Sequence, residues 1–265
     1  MKGIIDFHTH AFPDNLAEKA IGMLERGGKI PARLDGKISS LLSSMDRCGI
    51  EKSVICSIAT KPSHFDSILK WSESIASERI IPFPSVHPDD PDMIEHIEII
   101  KKKGFKGIKL HPYYQDFNVN DKKMFSIYKK IEDENLILVL HTGFDFAFER
   151  VKKADPEKIL EIKKAFPSLK LVTTHLGAWE DWDEVKRLLL GKEIYMEISF
   201  ALDFLDKKSA KDILMNHPDD YILFGTDSPW TDQEQTLKLF SALNLPSNLE
   251  KKILRENAIT LLSSL

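Results

Sequence analysis

The stretch Ile4-Ile5-Asp6-Phe7-His8-Thr9-His10 decides how the rest of the chain is read. Apolar residues and an aspartate run into two histidines separated by one residue. Side chains alternate faces along a β-strand, so His8 and His10 share a face and Thr9 takes the other. If this strand lines a closed parallel barrel, both imidazoles point inward at its carboxyl end, where such barrels build active sites. Two inward imidazoles one pleat apart are a ready pair of metal ligands.

Working outward, apolar β-branched runs recur at 53–58, 80–86, 107–111, 136–141, 169–175, 193–198 and 221–227. Together with the opening run they make eight, and their spacing settles near the ~30 residues of a βαβ unit. The segments between them have helical spacing. Ile38, Leu41, Leu42 and Met45 form one stripe, closed by Gly49 as a C-cap. Met93, Ile94, Ile97 and Ile100 form another, with Pro91 before it and Gly104 after it. Trp182, Val185, Leu188 and Leu189 make a third, and Leu249, Ile253, Leu254, Ala258 and Leu261 a closing helix. Buried strands alternating with amphipathic helices imply an α/β fold with a parallel sheet. Eight units imply closure into a (β/α)8 TIM barrel, taken as a single domain over residues 1–265. The alternative, an open doubly wound sheet, would want a Gly-rich turn after the first strand, and none follows. Two inserts stand out: 14–36, with a short helix carrying Leu16, Ala20, Met23 and Leu24, and 144–150, with Phe144, Phe146 and Phe148.

At 265 residues and 42% hydrophobic content the chain can bury a large core. A net charge of -4 and a pI near 6.2 disfavour nucleic acid as a partner. No apolar run approaches the ~20 residues of a membrane span, and the first strand begins too early to leave room for a signal peptide. Cys48 and Cys56 suggest neither a disulfide framework nor a zinc pair. A cytoplasmic protein acting on a small molecule is the expectation, with no membrane partner.

The informative fact is where the polar residues fall. Buried parallel strands should stay apolar, yet His8 and His10 end the first run, His111 the fourth, His141 the fifth, His175 the sixth and Asp227 the eighth. Neutral imidazoles and a carboxylate suit a divalent ion, zinc first, with manganese, iron or cobalt compatible. Such an ion lowers the pKa of bound water towards ~7. His64, His96 and His217 read as surface residues, and His87 as a weak pocket candidate.

Five motifs, taken in order, resemble the amidohydrolase superfamily, in the branch that includes aminocarboxymuconate-semialdehyde decarboxylase. They are Asp6-Phe7-His8-Thr9-His10, Gly107-Ile108-Lys109-Leu110-His111-Pro112, His141-Thr142-Gly143, Thr174-His175-Leu176-Gly177 and Gly225-Thr226-Asp227-Ser228-Pro229-Trp230. The resemblance implies a metal-dependent TIM-barrel enzyme holding one divalent ion through His8, His10, His141 and Asp227. It makes His175 the acid/base residue, with Asp227 sharing in proton transfer, and makes a homodimer common. Binuclear relatives bridge two metals with a carboxylated lysine or a glutamate from the fourth strand. Here that strand offers Lys109 and His111, read as facing substrate, with Trp179 as a substrate wall. The leading expectation is a metal-dependent hydrolase of a small amide, ester or lactone. The alternative is a metal-dependent decarboxylase of an aromatic or unsaturated carboxylic acid. A metal-free lactonase is a third reading, and an arginine such as Arg33 at the mouth would favour a carboxylate substrate.

Overall fold

The computed structural model describes residues 3–264. The strands are β1 (Ile4–Thr9), β2 (Ile50–Cys56), β3 (Ile80–Phe83), β4 (Gly107–Leu110), β5 (Ile137–Leu140), β6 (Lys170–Thr173), β7 (Tyr195–Glu197) and β8 (Ile222–Leu223). Neighbours pair in parallel and in sequence order, as arcs β1-β2-β3 and β4 to β8. Backbone hydrogen bonds span the two gaps. Phe7 N donates to Phe224 O at 2.8 Å and His10 N to Ser228 O at 2.6 Å; on the other side, Lys109 N donates to Pro84 O at 2.9 Å. The break beside β3 has a local cause: Pro82 and Pro84 have no N–H to give a ladder. With helices between successive strands, this is the (β/α)8 TIM barrel expected.

The barrel is filled from alternate strand positions. Ile5, Phe7, Val54, Phe83, Val139 and Val172 belong to one buried cluster inside it. Ile108, Leu110, Leu138, Leu140 and Leu171 pack with the helices outside. Each fully buried aliphatic side chain contributes roughly 1.5–3 kcal/mol. Lys109 alternates with Ile108 and Leu110 and pairs in register with Val139, which places it on the inner set.

The helix Ile38–Cys48 ends on Gly49 at φ 69°, the left-handed cap expected. The insert helix, Asp14–Gly28, is longer than expected and turned differently: it buries Ala17 and Ile21 and leaves Leu16 and Met23 about half exposed. Periodicity gives a helix, but not which of two adjacent stripes meets a neighbour. The closing segment contains a π turn, Lys252–Glu256, whose Ile253 carbonyl accepts from Phe224 N at 3.0 Å. The widened turn frees a carbonyl for the strand beneath it.

Candidate metal centre

One buried carboxylate ties the first strand to the last. Asp6, fully buried, accepts from Thr226 N at 3.0 Å, Thr226 Oγ1 at 2.6 Å and Gln233 Nε2 at 2.8 Å. Burial pushes its pKa up to about 7 against these hydrogen bonds. Thr226 is thereby fixed beside β1, and Asp227 N donates to His8 O at 2.7 Å. Asp227 sits at φ 60°, outside the strand region, a conformation that costs energy and clusters at functional sites.

His8 Nε2, His10 Nε2 and Asp227 Oδ1 converge, at 3.1 Å between the imidazoles and 3.4 and 3.0 Å to the carboxylate. The far side of each ring is engaged. His10 Nδ1 donates to Cys56 O at 2.7 Å, and His8 Nδ1 meets Glu197 Oε1 at 3.0 Å. With those protons placed, both Nε2 atoms present lone pairs to each other and to a carboxylate oxygen. Three such donors suit a cation. Metal–donor bonds of ~2.1 Å put neighbouring donors about 3.0–3.4 Å apart, the separations found here. Burial, then the charges of Lys109, His10 and other histidines, hold the His8 pKa well below its ordinary value, which keeps the ring a neutral ligand. Lys109 Nζ, fully buried, lies 3.2 Å from His8 Nε2.

The fourth expected ligand, His141, does not join that triad. Its Nδ1 lies 3.2 Å from His175 Nε2 and its Nε2 3.0 Å from Phe144 O. His175 is buried at the mouth with φ 59°, its Nδ1 3.0 Å from Ser199 O. Burial lowers its pKa to about 4. His111 stacks on His141, ring centroids 4.0 Å apart. Trp179 is buried with Phe144 and Phe200, against Ile30 and Trp230. Gly143 positions Trp179: at φ 87°, a Cβ there would lie 2.1 Å from Trp179 N. Arg33 lines a cavity of about 630 Å³ with Phe200, Phe204, Trp230, Asp203 and Asp232. Its N–H donates to Pro229 O at 2.6 Å, close to Asp227 in the chain.

The sequence reading missed Glu197. Fully buried at the end of β7, it meets His8 Nδ1 and accepts from His175 N at 3.0 Å, Ser199 N at 2.6 Å and Ser199 Oγ at 2.8 Å. Burial raises its pKa to about 8. The available signal was a charged residue in an otherwise apolar run. Asp145 was missed because nothing in a loop sequence places it beside His111 and His141. His217, expected at the surface, is buried with Nε2 donating to Ile194 O at 2.8 Å. His87 is buried and accepts from Asp89 N, a local turn contact.

Fold and strand-end donors together define a metal-dependent barrel enzyme. The chain belongs to the amidohydrolase family, whose description matches residues 5–263. Similar solved structures include a TIM-barrel protein from Bordetella bronchiseptica, 18% identical over 99% of each chain with a TM-score of 0.78. A 2,6-dihydroxybenzoate decarboxylase with 2,6-dihydroxybenzoate is 16% identical over 99% of this chain and 100% of that one, with a TM-score of 0.75. A dihydroxybenzoic acid decarboxylase from Polaromonas sp. JS666, with manganese and 2-nitroresorcinol, is 14% identical over 99% and 97%, with a TM-score of 0.73. At such identities the likeness establishes the fold. Among curated protein sequences, none matches this one.

Proposed function

We propose that the chain is a metal-dependent decarboxylase of a small aromatic carboxylic acid, with hydrolysis of an amide, ester or lactone as the reading it displaces. The observation that carries it is Lys109, fully buried and 3.2 Å from His8 Nε2. A lysine beside the metal ligands offers one ammonium with which a substrate carboxylate can pair, even though burial lowers its pKa. The aromatic residues Trp179, Phe144 and Phe200 at the mouth suit a flat ring, and Arg33 stands near the same entrance. The decarboxylase folds among the similar structures add support.

His8, His10 and Asp227 would hold the ion, with manganese as compatible as zinc. When bound it supplies a Lewis acid that fixes an oxygen donor of the substrate. Lys109 pairs with the substrate carboxylate, and the aromatic wall holds the ring and excludes water. Carbon–carbon cleavage releases carbon dioxide, and the ring carbon takes up one proton in its place. We assign that proton transfer to His175 and Asp227, the two titratable groups at the mouth whose backbones leave the strand geometry.

The test is carbon dioxide release by the manganese- or zinc-loaded protein from a panel of hydroxybenzoates, run beside hydrolysis of lactones, esters and amides. Release from hydroxybenzoates, lost in His8→Ala and Asp227→Asn, is expected. Hydrolysis without carbon dioxide release overturns the proposal in favour of the hydrolase. Full lactonase activity after metal removal overturns the metal assignment as well.

A further inference from the structure

We propose that the amino end of the barrel, opposite the mouth, carries a second binding site, for a monocarboxylate with an apolar body. A cavity of about 720 Å³ opens there between the two arcs of strands. That lies within the range of roughly 300–1,000 Å³ that takes a small organic molecule. Its origin is the sequence of β3. Pro82 and Pro84 supply no N–H, and the arcs β1-β2-β3 and β4 to β8 form no ladder with each other at this seam. The hydrogen bond from Lys109 N to Pro84 O closes the seam towards the carboxyl end, and Pro82, Phe105 and Lys106 line the gap below it.

The floor of the cavity is apolar and continuous with the inside of the barrel. Ile5 lines it and belongs to the inner cluster, and Ile81 and Leu262 pack against that cluster. Phe105 and Ile259 continue the apolar wall to the rim, where Ile259 is 40% exposed. Lys52 pairs in register with Ile5 and shares the inner face of β2 with Val54. A barrel interior at this level is normally filled by bulky branched side chains, so a lysine there is out of pattern.

Charge sets the polarity of the ligand. Four cations, Lys52, Lys103, Lys106 and Arg255, line the cavity with two carboxylates, Glu51 and Glu73. Both carboxylates are already paired, Glu51 Oε2 with Arg255 Nη1 at 2.7 Å and Glu73 Oε1 with Lys103 Nζ at 2.7 Å. That leaves Lys52, partly buried, and Lys106, exposed at the rim, without an acidic partner among the described residues. Two ammoniums over an apolar floor match one carboxylate carried on a ring or a short chain. The head makes charge-assisted hydrogen bonds, and the body takes apolar surface out of water. A neutral molecule of the same shape leaves both cations unpaired, and a more highly charged one meets Glu51 and Glu73 on the same wall. The site uses no residue of the metal centre, so it stands whether the mouth decarboxylates or hydrolyses.

The experiment is isothermal titration of the full chain with benzoate and octanoate, beside benzyl alcohol and octanol as uncharged counterparts. Wild type and Lys109→Met should share one saturable acid site, since Lys109 belongs to the mouth. Lys52→Met should weaken that site roughly 10–100-fold with a melting temperature near wild type, and the alcohols should bind more weakly by a similar factor. Lys106→Met, at the exposed rim, should weaken it only about two- to fivefold. Tighter binding of benzoate assigns a ring to the site and tighter binding of octanoate a chain; either supports it. Acid binding lost in Lys109→Met but kept in Lys52→Met puts the ligand at the mouth, which overturns this site and leaves the proposed reaction standing. Binding that is absent from wild type, indifferent to Lys52, or equal for acids and alcohols overturns it as well.

Discussion

The two donor clusters at the mouth are built differently. His8 and Asp227 are anchored through buried hydrogen bonds: Asp6 grips Thr226, and Glu197 and Ser199 flank the His8 ring. His111 and His141 end strands too, but their carboxylate, Asp145, rides a loop whose Phe146 and Phe148 are each 37% exposed. The first cluster is preorganised by the barrel itself. The second depends on a loop held by Ala147 N, which donates to Asp145 Oδ1, and by the Tyr113 hydroxyl, which donates to Gly143 O. The strand-end cluster is therefore the one shaped to hold an ion, and the more central to catalysis.

Asp227→Asn should have the largest effect. Loss of a ligand to a Lewis acid worth several kcal/mol should cut kcat/KM by roughly 10³-fold, with loss of one metal equivalent, read by steady-state kinetics and elemental analysis. Equal activity at full metal content would end the distinction between the clusters. Lys109→Met comes next: loss of a charge-assisted contact worth about 1.5–3 kcal/mol should weaken substrate binding roughly 10–100-fold. An unchanged KM for a carboxylate substrate would remove Lys109 from recognition. Glu197→Gln should weaken metal binding about 10–100-fold by loosening the His8 ring, measured by competition with a chelator. No change would mean that Glu197 only packs.

Gly143→Ala probes the loop side. Its Cβ would collide with the Trp179 backbone at a positive φ, so stability should fall by about 1–3 kcal/mol, with the triad metal retained. Thermal melting and metal content read both halves of that expectation. The smallest effect lies away from both clusters. Burial lowers the His217 pKa, so the unfolded chain binds the proton more readily. Its contribution to stability is present above about pH 6.5 and is lost as pH falls below that value through the folded pKa. His217→Asn should flatten that acid limb of the melting profile by a degree or two.

How much was legible in the sequence varied along each strand. The eight apolar runs marked the strands because a strand buried on both faces needs little polar residue. Their ends were misread by a few positions. The runs were taken through His141, His175 and Asp227, whereas β5, β6 and β8 stop at Leu140, Thr173 and Leu223. At His175 and Asp227 the backbone turns into the left-handed region just where the chemistry sits, and no pattern of hydrophobicity encodes that turn. Glu197 was missed because its partners, His8 and Ser199, lie on different elements.

The sequence by itself determined the barrel, the order of its strands and the identity of the donors that could reach its mouth. Alternation and period are local properties, set by which faces a strand or helix must bury. Only the tertiary structure decided which donors meet: His10 with Asp227 at 3.0 Å, and His141 with His175 instead of with them. The reason is physical. Convergence to within an ångström depends on ring rotations fixed by buried hydrogen-bond partners that come from distant parts of the chain.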